Sequence, residues 1–343
     1  MTEAGGITLA AGAGGTSAGV RRFAHEAMDT TFEVVAGERA GGGAEVVRQA
    51  AREAFALLDR LEGRLSRFIE GSDVWQINHL RAGQWVRVGL DVLECLGEAA
   101  LVFEETGGAF DAAIGPLRNA WAAARDQRGR GRQPSKEEIE TALTRCGTEL
   151  LEMSAAEGGV GVKADGVEID LGGIGKGFAV DRMACLLREW DIGGGLVQGG
   201  YSTVYAWGSP GGEGAEKGWP VTLTEPRSGQ TIAVVKLRDE ALSASGWAAR
   251  GGHVLDPRTG SACGGVSDRL RSWARAPRAS RADALSTAFL VMSAAEIAAF
   301  CRRHKETGAM VLWDEATSGG LLRCGTLAER SARSERRGSE GVQ

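Results

Sequence analysis

The alternation of apolar and polar positions divides the chain into helices and strands before any chemistry is considered. Val47, Ala51, Ala54, Leu58, Leu61 and Leu65 recur at alternating spacings of four and three. They draw one apolar stripe and predict a helix over 44–65. A second stripe, Leu93, Leu96, Ala100 and Phe103, predicts a helix over 91–108, closed by Gly107 and Gly108. Ser135 followed by Glu138 is a capping-box signature for a helix ending near Thr144. Further helices are predicted in "GKGFAVDRMACLLREW", "ADALSTAFLVMS" and "AAEIAAFCRRHK". β-branched runs predict strands in "DTTFEVVAG", "GGLVQGG", "TVYAWG", "WPVTLTE", "TIAVVKL" and "GAMVLW". "GVGVKADGVEIDL" is expected to be a hairpin turning at Asp165-Gly166. Hairpins mixed with separate helices predict an α+β class, with mixed, largely antiparallel sheets and packed helices.

The Gly/Ala/Ser-rich residues 1–24 are expected to form a disordered tail, 25–316 one folded domain, and 317–343 a flexible tail. At 343 residues the chain can bury a sizeable core. A net charge of -5 argues against a nucleic-acid partner, which needs a basic patch. The six cysteines, Cys95, Cys146, Cys185, Cys263, Cys301 and Cys324, form no CxxC pair. A zinc or redox site is therefore not expected, and reduced thiols are. No run of about 18 apolar residues is present, so no membrane span is expected. The N-terminus lacks an apolar stretch of signal length, and no apolar run follows Arg21-Arg22. The expected address is cytoplasmic.

The chemistry gathers around "VEIDLGGIGKGFAVD", residues 167–181. Glycine loops that open helices often hold phosphates. The loop is not a Walker A motif, because Asp170 stands where the first Gly is needed and Gly177 replaces the Ser/Thr. It also lacks the third Gly of a dinucleotide fingerprint. The competing reading is a turn whose glycines only permit close packing. In "ADALSTAF", Asp283 and Thr287 lie four apart and so share a helix face. A carboxylate and a hydroxyl so placed offer hard oxygen ligands suited to Mg²⁺. The competing reading there is a capping Asp on a core helix.

Taken in order, "LSRF…SDVWQIN", "TGGAFD", "DLGGIGKGFAVD", "HVLDPRTG" and "DALST" resemble the FAD:protein FMN transferase family, also called the ApbE or flavin transferase family. The resemblance runs from about Ala27 to Trp313 and makes 25–316 a flavin transferase domain. It implies that Met28 belongs to a flavin pocket and that Phe68 packs on the isoalloxazine. It implies that Ala109, Phe110 and Asp111 line the FAD site and that Asp170, Lys176 and Leu255 contact FAD. The Gly173 carbonyl, Asp283, Ser286 and Thr287 match the family's metal positions. The chain departs from the family pattern with Asp29 for the usual Gly, Tyr201 where Asp or Asn is frequent, and Ala244 where Thr is usual.

The implied reaction splits FAD at its pyrophosphate and passes FMN to a Ser or Thr hydroxyl in the flavinylation motif of an acceptor flavoprotein, releasing AMP. Mg²⁺ and Lys176 would neutralise charge on the phosphates, since a loose phosphoryl-transfer transition state needs positioning and charge more than a strong base. His253, the one histidine within these motifs, is the candidate to take the hydroxyl proton or hold a phosphate oxygen. Two other readings share this site. In a Mg²⁺-dependent FAD pyrophosphatase, water replaces the acceptor. A non-catalytic flavin-binding protein would release no AMP.

Overall fold

The computed structural model describes residues 7–9, 20–37, 43–124, 132–210, 218–246, 254–263, 269–313 and 320–328. Among these the chain runs through β1 (Ile7–Leu9), β2 (Val20–Ala27), β3 (Thr30–Gly37), α1 (Gly43–Leu65), α2 (Asp73–Ile77), β4 (Trp85–Arg87), α3 (Leu90–Glu105), α4 (Gly115–Ala123) and α5 (Lys136–Leu143). Next come β5 (Leu151–Ser154), β6 (Gly159–Val162), α6 (Gly175–Glu189), β7 (Gly195–Gly199), β8 (Thr203–Trp207), β9 (Trp219–Thr224), β10 (Thr231–Leu237) and β11 (Glu240–Gly246). The chain closes with β12 (Val254–Leu255), β13 (Ala262–Cys263), β14 (Arg269–Ala276), α7 (Ala279–Val291), α8 (Ala294–Arg303), β15 (Gly308–Trp313) and β16 (Gly320–Gly325). The class is α+β, and the strand pairs among the described residues are antiparallel.

The main sheet has the order β16-β15-β14-β11-β8-β7-β3-β2. Its two faces bury against different partners. Phe32, Val34, Val197 and Ala274 face the helices, packing with Leu58, Phe178 and Leu285. Val35, Leu196 and Trp273 face the small sheet β1-β9-β10, packing with Trp219 and Leu223. Burial on both sides explains why "GLVQG" and "TVYAW" lack the in/out alternation of a half-exposed strand.

The α1 stripe buries Val47, Ala51, Ala54, Leu58, Leu61 and Leu65 as its spacing requires. Ser135 and Glu138 form the expected reciprocal cap on α5. Three expectations are corrected. The stretch 159–171 is not a hairpin: β6 pairs with β4 and β5, while Gly115 N donates to Glu168 O and Asp170 N to Ala112 O. Packing against "DAAIG" draws the second half away from β6. Within the expected N-terminal tail, 1–24, Ile7–Leu9 is a strand and the strand Val20–Ala27 begins; Ile7 is buried, and β1 pairs with β9. Within the expected C-terminal tail, Gly320–Gly325 pairs along β15 and covers an otherwise open edge.

Candidate active site

The site grows from the entry to α6. Asp170 Oδ1 accepts from Gly172 N at 2.8 Å, which folds the loop back on itself. Ile174 N and Gly175 N both donate to Leu171 O, and the helix begins with no side-chain cap of its own. The missing cap comes from another helix: Gly177 N donates to Asp283 Oδ2 on α7 at 3.0 Å. That contact demands glycine at 177. A Cβ there would sit 2.3 Å from Ala279 O and 2.8 Å from Asp283 Cβ. The helix α7 is fixed in turn by α6, because Asp181 accepts from Ala279 N, Ser280 N and Ser280 Oγ at 2.7, 2.9 and 2.7 Å. Burial pushes the Asp181 carboxyl above the usual range, against the pull of these bonds.

Asp283 is 2% exposed. Its Oδ1 accepts from Ser243 Oγ at 3.1 Å and Thr203 Oγ1 at 3.3 Å, and those hydroxyls lie 2.9 Å apart. Its hydrogen-bond partners among the described residues, Gly177 N, Thr203 Oγ1 and Ser243 Oγ, are all neutral, and no arginine or lysine there pairs with it. A buried carboxylate without a counter-cation is costly unless something supplies one. Next to it, Ser245 Oγ lies 2.7 Å from Ser286 Oγ and 3.2 Å from Thr287 Oγ1. Ser286 Oγ is engaged by Asp283 O at 2.9 Å as well. Gly173 lies against Thr287: a Cβ on it would be 3.2 Å from Thr287 Oγ1 and 3.1 Å from Phe110 Cε2.

Two cavities meet above this floor, sharing Asp170 and Gly172. Met28, Phe68, Asp170 and Lys176 line the first. Ala109, Phe110, Asp111, Gly173, Leu255 and Thr287 line the second. The structure thus draws together Met28 and residues of five separate sequence motifs, with Asp283 and Ser286 buried beneath. His253 lies outside the described residues. Phe68 is 79% exposed, so it is not a core phenylalanine. Lys176 is half-buried and makes no ion pair among the described residues. Met28 and Asp29 form the turn between β2 and β3 with φ of 51° and 58°, a left-handed pair that a two-residue hairpin requires. Glu62 Oε1 holds that turn through Met28 N at 2.7 Å. Asp111 Oδ1 accepts from Thr148 Oγ1 at 2.7 Å and Ala113 N at 2.9 Å, and desolvation raises its carboxyl above the ordinary range.

The motif reading passed over the hydroxyl floor (Thr203, Ser243, Ser245), the turn holder Glu62, and two arginines, Arg67 and Arg118, that converge on Asp170. A signal for the floor existed: these hydroxyls share the helix-facing side of β8 and β11, where Tyr205 and Ala241 mark an otherwise apolar face. Among the described residues no group of three or more His, Cys, Asp or Glu could hold a metal. The donors that do gather are one carboxylate, Asp283, and the hydroxyls of Thr203, Ser243, Ser245, Ser286 and Thr287. Those are hard ligands and fit Mg²⁺ better than a thiolate- or imidazole-seeking ion. Among the described residues no helix is long and apolar enough to cross a membrane.

The architecture and the cleft define an α+β protein with a two-part cleft at a helix-opening glycine loop. The chain belongs to the ApbE family, whose model matches residues 28–312. It is 30% identical over 292 residues to the FAD:protein FMN transferase of Treponema pallidum, covering 78% of this chain and 78% of that one. It is 28% identical over 250 residues to the FAD:protein FMN transferase of Klebsiella pneumoniae, covering 69% of each. Among solved structures, the apo flavinyl transferase ApbE of Pseudomonas stutzeri superimposes with a TM-score of 0.77 at 26% identity, over 90% of this chain and 96% of that one. The ApbE protein of Thermotoga maritima gives 0.76 at 27% identity, over 90% and 98%.

Proposed function

We propose that this protein is a Mg²⁺-dependent FAD:protein FMN transferase that joins FMN to a Ser or Thr hydroxyl of an acceptor flavoprotein. One observation carries the reading beyond family membership. The exposed Phe68 ring, Lys176 and part of the glycine loop line the first of two joined cavities, and the Asp283 carboxylate, without a cationic partner among the described residues, is buried beside Thr287, which lines the second.

In this reading Phe68 and Met28 support the flat isoalloxazine. Lys176 sets a fixed positive charge beside the diphosphate, and the glycines let main chain approach it. Asp283, Thr287 and the Gly173 carbonyl, with Ser286 close by, would hold Mg²⁺, which when bound neutralises charge on the phosphate oxygens. The acceptor oxygen bonds to the FMN phosphorus, the bond from that phosphorus to the AMP oxygen breaks, and AMP leaves. His253 is assigned the proton of the acceptor hydroxyl. Ser243 and Thr203 keep Asp283 in one orientation, and Asp181 keeps α7 seated on α6. A cytoplasmic address belongs to the same proposal. The free thiols of Cys95, Cys146, Cys185, Cys301 and Cys324 accord with it, and cell fractionation checks it.

The test is incubation with FAD, Mg²⁺ and an acceptor carrying a Ser/Thr flavinylation motif, reading AMP release and flavin fixed to the acceptor. Both should appear together. Asp283→Ala should abolish both in a folded protein, and Thr287→Val, which removes only a neutral ligand, should be milder. AMP release without acceptor labelling, or full activity of Asp283→Ala at low Mg²⁺, would overturn the proposal.

A further inference from the structure

At the ridge between the two cavities, Asp170 receives two guanidinium groups on one oxygen: Arg118 Nη1 pairs with Oδ2, and Arg67 Nη1 lies 3.3 Å from it. The other oxygen is already taken by Gly172 N. One carboxylate therefore faces two arginines, with Lys176 lining the same cleft. Of the other acids there, Glu62 is engaged by Met28 N and Asp111 by Thr148 and Ala113, while Asp29 is exposed at the rim of the first cavity. Arg67 lines the first cavity, is held by Asn119 Oδ1 at 3.4 Å, and sets its guanidinium 5.0 Å from the Phe68 ring centre. Arg118 lines the second cavity, its side chain 52% exposed. Asp170 is the one side-chain partner of Arg118 among the described residues, which leaves most of its five donors unspent. Gly172 leaves room for the Asp170 carboxylate, since a Cβ there would stand 2.9 Å from Asp170 Oδ1.

We infer that Arg118 and Arg67 form a diphosphate clamp for the substrate, primed by Asp170. This deepens the FAD-dependent reading above and rests on it. A ligand whose ring lies on Phe68 and whose far end reaches the second cavity must cross the Asp170–Gly172 ridge, between the two guanidiniums. Planar, multi-donor guanidiniums match phosphate oxygens better than a point charge does. Asp170 keeps both side chains extended toward the ridge in the free protein, so little rotamer freedom is lost when the anion arrives.

Isothermal titration of FAD, ADP and riboflavin into the full chain tests the clamp, with thermal unfolding alongside. Arg118→Gln should weaken FAD and ADP binding by about tenfold or more, the usual size of a charge-assisted hydrogen bond, and leave riboflavin unchanged. Arg118→Lys should recover part of the loss. If Arg118→Gln fails to fold, Arg67→Gln carries the same comparison. A folded variant that binds FAD and ADP within twofold of wild type, or that loses all three ligands equally, reduces the arginines to structural partners of Asp170 and overturns the inference. The two readings separate in the wild type: failure to bind FAD sinks the transferase proposal, whereas ADP binding that depends on Arg118 would leave the clamp standing.

Discussion

At the scale of single residues, the site depends on charges held in unequal surroundings. Lys176 stands on the first turn of α6 and makes no ion pair among the described residues, where the helix N-terminus also favours negative charge. If it meets developing charge on the diphosphate, Lys176→Met should slow AMP release and weaken FAD binding by about 2–4 kcal/mol. A decorative lysine would lose about 0–1 kcal/mol. Single-turnover AMP release separates the two, with circular dichroism as the folding control. Asp111 makes a different point. Burial raises its folded pKa above its unfolded value of about 4. The folded state therefore holds the proton more tightly, and stability falls as pH rises from the unfolded value through the raised folded one. Asp111→Asn keeps an oxygen for Thr148 and Ala113 and lacks this titration. Its melting temperature should gain on wild type as pH rises above about 4, then run parallel once wild-type Asp111 is ionised. A constant difference at every pH would remove the explanation.

At the scale of elements, α6 and α7 cap each other. Asp283 of α7 takes an N–H at the start of α6, and Asp181 of α6 takes two at the start of α7. Each helix thus supplies what the other's first turn lacks. Gly177 lets the two approach closely enough for this exchange. Gly177→Ala forces main chain and Asp283 apart, and should cost about 1–3 kcal/mol by the usual penalty of an overpacked interface. Because Asp283 moves with the displaced helix, AMP release by the folded fraction should fall as well. Chemical denaturation and activity measured on one preparation check both, and a stable, fully active Ala variant would contradict the geometry. The glycine loop "GGIGKG" is therefore a packing turn at Gly177 whatever it binds, so the two readings of the loop are compatible.

At the scale of the whole molecule, the main sheet separates two cores, and the cleft sits on the helical side. Trp219 anchors the far side, fully buried, its indole donating to Trp207 O at 2.9 Å. Trp219→Ala should cost about 3–5 kcal/mol of stability, while FAD affinity of the folded protein stays within about twofold. Guanidinium unfolding and FAD titration read the two quantities. A large loss of affinity without unfolding would mean that the second core shapes the site.

Local pattern alone determined much of this protein. The stripe of α1, the box that caps α5, the runs that became β7 and β8, and the order of the motifs all lie within short windows, where period and capping chemistry act directly. Those windows also marked Asp170, Lys176, Asp283 and Thr287 as chemical. The tertiary structure decided what the windows do not contain. Residues 167–171 left the expected hairpin because their main chain bonds to "DAAIG". Thr203 and Ser243 became the floor under Asp283 because strands β8 and β11 pair beneath α7. Arg67 reaches Asp170 across 103 residues, and Asp283 reaches Gly177 across 106. Contacts at that separation follow from how whole elements pack, and residue periodicity, which reports only which face of an element is buried, carries no record of what that face will meet.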